Sequence, residues 1–385
     1  MIKYLGSKRV LVPVLGEMLS AVGARTAVDL FTGTTRVAQE FKRRGAYVHA
    51  VDTASYSDVL AKCFIETDAT TVSKDELVDA IERLNALPGE PAYFTETFCL
   101  SSRYFQPKNG ARVDAIRACL QADFAASPLF PVLLTSLMLA ADRVDSTTGL
   151  QMAYLKRWAP RAHKDLELRM PELLAGGGAA VQGDALHVVD SLPRADLAYL
   201  DPPYNQHRYF TNYHVWESLV RWDKPSHYGI ACKRIDSRSD ETRSAFNSKK
   251  TMPAALHSVI TRVRAELVVV SYNDESWVSP EEIIGWLREA GHVDVRMLAF
   301  DFKRYVGAQI GIHNPAGVKV GTVSHLRNTE YLFVAGPADQ VEAAAAVAAA
   351  SVAAAPASPA ADRTPALGAG RARLPGPELG VDLPS

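Results

Sequence analysis

The residues of this chain predict an α/β fold: a largely parallel sheet with a mainly helical insert between its strands. Short apolar runs ending in an acid recur along the chain, a turn of small residues joins the first run to a helix, and helical periodicity takes over from about residue 70 to 175 before the runs resume. Ala27-Val28-Asp29-Leu30-Phe31 is the first strand and Thr32-Gly33-Thr34-Thr35 the turn. The helix runs from Arg36 to Arg44, with Val37, Ala38 and Phe41 on one face and Gly45 as its stop. Tyr47 to Val51 is the second strand and ends in Asp52. An acid about 20 residues past the first turn of a βαβ unit has the spacing at which a carboxylate meets ribose hydroxyls, so Asp52 is a nucleoside-binding candidate. Many α/β turns share that look and bind nothing.

Within the helical stretch, Val72 to Leu87 has the pattern of an exposed amphipathic helix and Leu129 to Ala141 that of a more buried one. Between them, Arg103 to Gly110 is expected to be a polar-aromatic loop that turns at Asn109-Gly110. The stretch is too long for a crossover helix and too apolar for a linker, which predicts an inserted subdomain over residues 71–175. After a hinge at Gly176-Gly177-Gly178 come strands at Ala180 to Asp184, Leu197 to Leu200, Leu267 to Val270, Arg296 to Phe302 and Glu330 to Val334. Residues 1–70 and 176–336 are then the two parts of one sheet domain. Past Gly336 the composition turns to alanine and proline with few large apolar groups, too few to offset the entropy of ordering, so residues 337–385 are expected to be a disordered tail, with a frayed Ala-rich helix as the alternative.

At 385 residues, 48% hydrophobic and 22% charged, the chain has the composition of a globular protein with a sizeable core. Cys63, Cys99, Cys119 and Cys232 are widely spaced with no Cys-x-x-Cys pair, which argues against zinc or a disulfide framework and fits a reducing compartment. Lys3, Lys8 and Arg9 stand where a signal peptide needs its apolar run, and the longest apolar stretch, Ala343 to Ala355, is nearly all alanine and too short to span a bilayer. A cytoplasmic protein without a membrane segment is expected. The net charge of −1 hides an uneven distribution. From Asn205 to Arg264 eleven lysines and arginines stand against five acids, with His207, His214, His227, His257 and several aromatics interleaved. That composition suits phosphate tracking, and equally a solvated face of mixed charge.

The strand that ends in Asp201-Pro202-Pro203-Tyr204 carries the chemistry. Each proline fixes its φ and lacks an N–H, and the residue before a proline is held extended. The Asp201 carboxylate and the Pro202 carbonyl thus become fixed acceptors, which suit an amino group, and Tyr204 offers a flat face on which a planar ring can stack. A tight turn after a core strand has the same residues.

With the motif in place, Lys3-Tyr4-Leu5-Gly6-Ser7-Lys8, Asp29-Leu30-Phe31-Thr32-Gly33, Asp52, Asp184 and Asp201-Pro202-Pro203-Tyr204 resemble, in that order, the motifs of Dam-like DNA adenine-N6 methyltransferases, the D12 class with alpha-type motif order. The likeness runs from Lys3 to about Val334. It implies a Rossmann-like class I S-adenosylmethionine-dependent sheet whose insert recognises the target, S-adenosyl-L-methionine as cofactor, double-stranded DNA as substrate, and a role beside a cognate restriction endonuclease or alone. By the same resemblance, Tyr4 and Lys8 belong to a segment contacting the methionine part of the cofactor, Asp29, Phe31 and Gly33 to the turn beside it, Asp52 to its ribose and Asp184 to its adenine. One position departs. Members commonly have a second glycine where this chain has Thr35, whose side chain would crowd the backbone or offer its hydroxyl to the cofactor carboxylate.

The resemblance makes Asp201, Pro202 and Tyr204 the catalytic residues: acceptors for the hydrogens of adenine N6, and a platform for the flipped base. No metal is required. Asn273 at a strand end, Lys249 and Lys250 in the basic segment, and Lys303 and Arg304 in a Gly-rich stretch are candidates for binding the DNA. Phe31 is expected in a wall of the cofactor pocket. An RNA or protein amide N-methyltransferase could share the turn, although such enzymes tend to have Asn where this chain has Asp201. A catalytically silent DNA-binding module is the other alternative.

Overall fold

The computed structural model describes residues 2, 3, 8, 10–155, 157–203, 208–274, 276–303, 312–313, 319–321 and 327–354. Seven strands form the main sheet: β1 (Thr26–Asp29), β2 (Tyr47–Asp52), β3 (Gly178–Gln182), β4 (Ala195–Leu200), β5 (Ala265–Asn273), β6 (Asp294–Lys303) and β7 (Arg327–Gly336). Their order is 3-2-1-4-5-7-6. β1 to β5 pair in parallel, and β7 runs antiparallel between β5 and β6. This is the Rossmann-like class I sheet that the motifs imply. Strands buried on both faces read as continuous apolar runs, which is why β4 and the Val268 to Val270 stretch of β5 were plain in the sequence. The order reverses between β1 and β4, so their carboxyl ends open the crevice where such sheets bind ligands.

Helices cover both faces. On one lie α1 (Leu11–Ala21) and α2 (Arg36–Arg43), and α1 points Leu11, Val14, Leu15, Met18 and Leu19 inward at helical spacing. Between β2 and β3 come α3 (Ser55–Ala61), α4 (Lys74–Ala86), α5 (Pro107–Asp123) and α6 (Phe130–Val144). The insert is helical, as expected, but it is not separately cored: Leu77, Leu84, Ile116 and Leu137 belong to the same buried cluster as Leu15 and Phe41. After the motif, α7 (His214–Arg221) packs on α3. Its Glu217 carboxylate accepts the Ser55 and Tyr56 amides at 3.1 and 3.4 Å, replacing the missing side-chain cap of α3. Arg117 of α5 donates to the Leu219 and Val220 carbonyls at 2.9 and 3.0 Å, satisfying the other end of α7. The second face carries α8 (Met252–Arg262) and α9 (Pro280–Glu289) over Val268, Val270 and Phe333.

Two expectations are corrected. Asn109 and Gly110 do not turn a loop; they lie in the first turn of α5, with Pro107 near its start. Gly110 is there for close approach, since a Cβ would fall 2.3 Å from Cys99 Sγ. Asn109 bonds the backbone of Lys164 and Leu166, at 2.9 Å each. Nor is the segment after Gly336 unstructured throughout. α10 (Ala338–Ala354) packs on α1 and the β6–β7 edge with Val341, Ala344 and Ala348 buried. Alanine has the highest helix propensity, and one valine with alanines three and seven residues on makes a stripe narrow enough to lie close against α1. Residues 355–385 lie outside the described residues.

Candidate active site

Four strands end in or just before an acid at the same edge of the sheet: Asp29 on β1, Asp52 on β2, Asp184 after β3 and Asp201 after β4. A cavity opens there, lined by Phe31, Gly33, Asp52, Asp184, Asp201 and Pro202. Asp52 Oδ2 accepts the Gly33 amide at 2.8 Å and Oδ1 the Ala54 amide at 2.9 Å, which fixes the carboxylate and leaves each oxygen a further lone pair. Burial raises its pKa against the pull of these amides. Asp184 caps a short helical turn by accepting the Leu186 amide at 2.8 Å. Phe31 meets Phe246 edge to face at 5.0 Å, and this apolar pair lines the cavity along with the acids. Apolar walls with a few fixed carboxylates spaced along the strand ends fit an adenosine bearing a charged tail.

Asp29 lies beneath the turn rather than in the cavity. It is 1% exposed and takes the Thr32 hydroxyl at 2.9 Å. Burial pushes its carboxyl up to about 7, with the charges of Asp201 and Asp52 adding to the rise. Thr35, the departure from the family pattern, has φ 61° and is buried. Its hydroxyl donates to the Thr34 carbonyl at 2.7 Å and accepts the Gln39 amide at 2.8 Å, so it is used within the turn rather than offered to the cofactor.

Lys8 reaches the carboxyl end of β4. Its ammonium lies 3.1 Å from Asp201 Oδ1 and also pairs with Glu330, whose Oε1 accepts the Ser271 hydroxyl at 2.7 Å. Two partly buried carboxyl groups, Asp201 and Glu330, share Lys8 as their counter-charge. Burial pushes the Asp201 carboxyl up to about 6, opposed by Lys8 and reinforced by Glu330.

Tyr4, Tyr204 and Arg304 lie outside the described residues, as does the side chain of Lys303, which ends β6. Asn273 ends β5 but does not reach the Asp201 cavity: its Oδ1 accepts the Ser276 hydroxyl at 2.6 Å, which turns it toward a separate hollow with Trp277 and Glu282. Lys249 and Lys250 are exposed, just past Asn247 in the cavity wall. The basic segment is thinner than its composition implies, because Arg234 is spent on Asp223 and Asp236, and Arg262 on Asp190.

Phe246, Arg208 and Glu330 were missed. For Glu330 a signal existed: an acid borders the apolar run of β7, as with Asp52 and Asp201, but at the amino end because this strand runs the other way. Among the described residues no group of three or more His, Cys, Asp or Glu is placed to hold a metal ion, and no helix is long and apolar enough to cross a membrane.

Comparison with known proteins agrees with this geometry. A family model described as D12 class N6 adenine-specific DNA methyltransferase matches residues 4–285. The modification methylase StsI of Streptococcus sanguinis is 28% identical over 320 residues, which cover 77% of this chain and 48% of that protein. The Type II methyltransferase M.NlaIII of Neisseria lactamica is 29% identical over 301 residues, 74% of this chain and 86% of its own. M.CviAII of Paramecium bursaria Chlorella virus 1 is 26% identical over 308 residues, 76% and 90% respectively. The match thus takes in about half the length of the StsI methylase and most of the other two.

Proposed function

Because this chain belongs to the D12 class of N6 adenine-specific DNA methyltransferases, we propose that it methylates N6 of an adenine flipped out of double-stranded DNA at a specific sequence. S-adenosyl-L-methionine is the methyl donor, and the role is in restriction-modification, beside a cognate endonuclease, or solitary modification in the cytoplasm. The observation that supports this most is the meeting of Asp52, Asp184 and Asp201-Pro202 in one cavity at the switch point of the sheet.

The bound cofactor supplies an electrophilic methyl group; the residues of the chain orient and desolvate. Asp52 holds the ribose, Asp184 lies by the adenine, and Phe31 with Phe246 excludes water. The lone pair of adenine N6 is delocalised into the ring, and acceptors on its hydrogens favour a more pyramidal, more nucleophilic nitrogen. Asp201 and the Pro202 carbonyl are those acceptors. In-line alignment contributes up to about 7–11 kcal/mol of barrier lowering, and the Asp201 charge favours the positive charge growing on N6. A carboxyl raised to about 6 is ionised at neutral pH yet basic enough to receive the proton N6 sheds. Flipping costs a few kcal/mol, offset in part by stacking on Tyr204. The aspartate at position 201 weighs against an amide substrate.

Two substitutions separate the roles. Asp201→Ala eliminates methyl transfer while cofactor binding persists, and Asp52→Ala weakens cofactor binding by roughly 1.5–3 kcal/mol, as expected when hydrogen bonds to a charged group are removed. Tritiated-methyl incorporation into DNA and calorimetry with the cofactor measure the two. Turnover within tenfold of wild type for Asp201→Ala sinks the role of Asp201, and an unchanged affinity for Asp52→Ala moves the ribose site.

A further inference from the structure

A second cavity adjoins the first, and Arg208 lines both. Arg208, Arg238 and Arg243 border it together with Asn212, Tyr228 and Ser237, and among the described residues no acid does. The three arginines are prepared to different degrees. The Arg238 guanidinium stacks on Tyr228 at 3.8 Å, and the Tyr228 hydroxyl shares a hydrogen bond with Ser237 Oγ at 2.9 Å, so the ring and the cation it carries are held in place. Among the described residues Arg208 makes only a long 3.4 Å contact, with the Ser237 carbonyl. Neither Arg208 nor Arg238 has an ion pair among the described residues, unlike Arg234 and Arg262 of the same segment. Arg243 pairs with Asp240 at 2.6 Å, but the Asp240 side chain is 85% exposed. A pair that wet is worth little and is readily exchanged. At the floor, Asn212 is 4% exposed and its Nδ2 has no hydrogen-bond partner among the described residues.

We infer that this arginine-lined cavity binds a phosphodiester flanking the target nucleotide, an inference that rests on the DNA reading above. Guanidinium forks match phosphate oxygens two at a time, with more geometric selectivity than a lysine provides. A nucleotide that swings out of the helix rotates about its own backbone, so an enzyme that acts on a flipped base must hold the adjoining phosphates as well as the base. Arg208 lines both cavities and so ties phosphate capture to the cavity that holds Asp201 and Pro202.

The test uses the full chain with Arg238 and Arg243, both exposed, replaced together by glutamine. On a random-sequence duplex, the slope of log affinity against log salt should fall by about one for each phosphate that is no longer neutralised. On the duplex that modified-base mapping assigns as the methylation site, methylphosphonate is placed in turn at the phosphates on either side of the adenine. The neutral linkage at one of these positions should weaken wild-type binding about tenfold, the order expected for one charge-assisted contact. The variant, already weakened, should drop less than twofold further. An unchanged salt slope overturns the inference, and so do losses that multiply at both flanking phosphates. Because the salt slope is read on a random-sequence duplex, a wild-type protein that bound DNA but methylated no adenine would refute the reaction proposed above, while the slope alone would still decide whether the arginines hold phosphate.

Discussion

Asp29 is an acid that this fold keeps more comfortably with its proton on. Burial raises its carboxyl to about 7, whereas the unfolded chain releases that proton near the ordinary value of about 4. The folded state therefore binds more protons across that window, and the stability due to Asp29 is full below it and is lost as pH rises through 7. Asp29→Asn should remove the penalty: at pH 8 it melts higher than wild type, by a gain on the order of a few kcal/mol, and between pH 5 and 8 its melting temperature varies less. Calorimetry at pH 5, 6.5 and 8 checks this, and a wild-type melting temperature that climbs over that range would contradict it. Thr35 gives the residue-scale reason for the family's glycine. A β-branched side chain at φ 61° costs roughly 1–2 kcal/mol, so glycine answers a backbone need there at least as much as a need for cofactor access. The strand-ending acids Asp52, Asp184 and Asp201 were legible because a charge that stops an apolar run stands out. The pairing of Lys8 with Glu330 was not legible, because nothing local to residue 8 announces so distant a partner.

At the scale of elements, the strands could be read from their apolar runs to within a few residues, whereas the helices that depend on tertiary contact could not. The Asn-Gly pair looked like a turn because propensity is local, and it became helix because Pro107 starts α5 and only glycine fits against Cys99. The docking of α10 was hidden for a related reason: alanines carry little hydrophobic signal, and the stripe of Val341, Ala344 and Ala348 gains its value only from the face of α1 it meets. A chain ending at Gly336 should therefore be less stable. Losing burial of one valine and two alanines, and re-exposing the α1 surface, costs about 2–4 kcal/mol at ordinary apolar coefficients. A melting temperature roughly 5–10 °C below that of the full chain is expected. If the truncated chain melts with the full-length one, α10 contributes nothing to the core.

For the whole molecule, one continuous core joins the sheet to the helical insert, and Glu217 and Arg117 lock α7 between them. The segment from 103 to 112 enters helix at Pro107 and buries Tyr104, Phe105, Asn109, Gly110 and Ala111, so it is not a free reading loop, and target discrimination, if it belongs to the insert, must use exposed side chains on its surface. Phosphate contacts position and base contacts discriminate. Replacing Lys249 and Lys250 together should weaken binding to cognate and scrambled duplexes alike and lower the salt slope by about one for each phosphate the lysines had neutralised. Salt titrations on both duplexes check it, and a relaxed sequence preference would mean these lysines read bases. The sheet has one further consequence, for biosynthesis. β7 is last in the chain among the seven strands, yet it fills the gap between β5 and β6 and delivers Glu330 to Lys8 and Asp201. A ribosome-bound chain can therefore build the cofactor crevice before it can set the charge balance around the reactive carboxylate. A fragment that ends before β7 lacks Glu330 and with it the partner that Lys8 shares with Asp201.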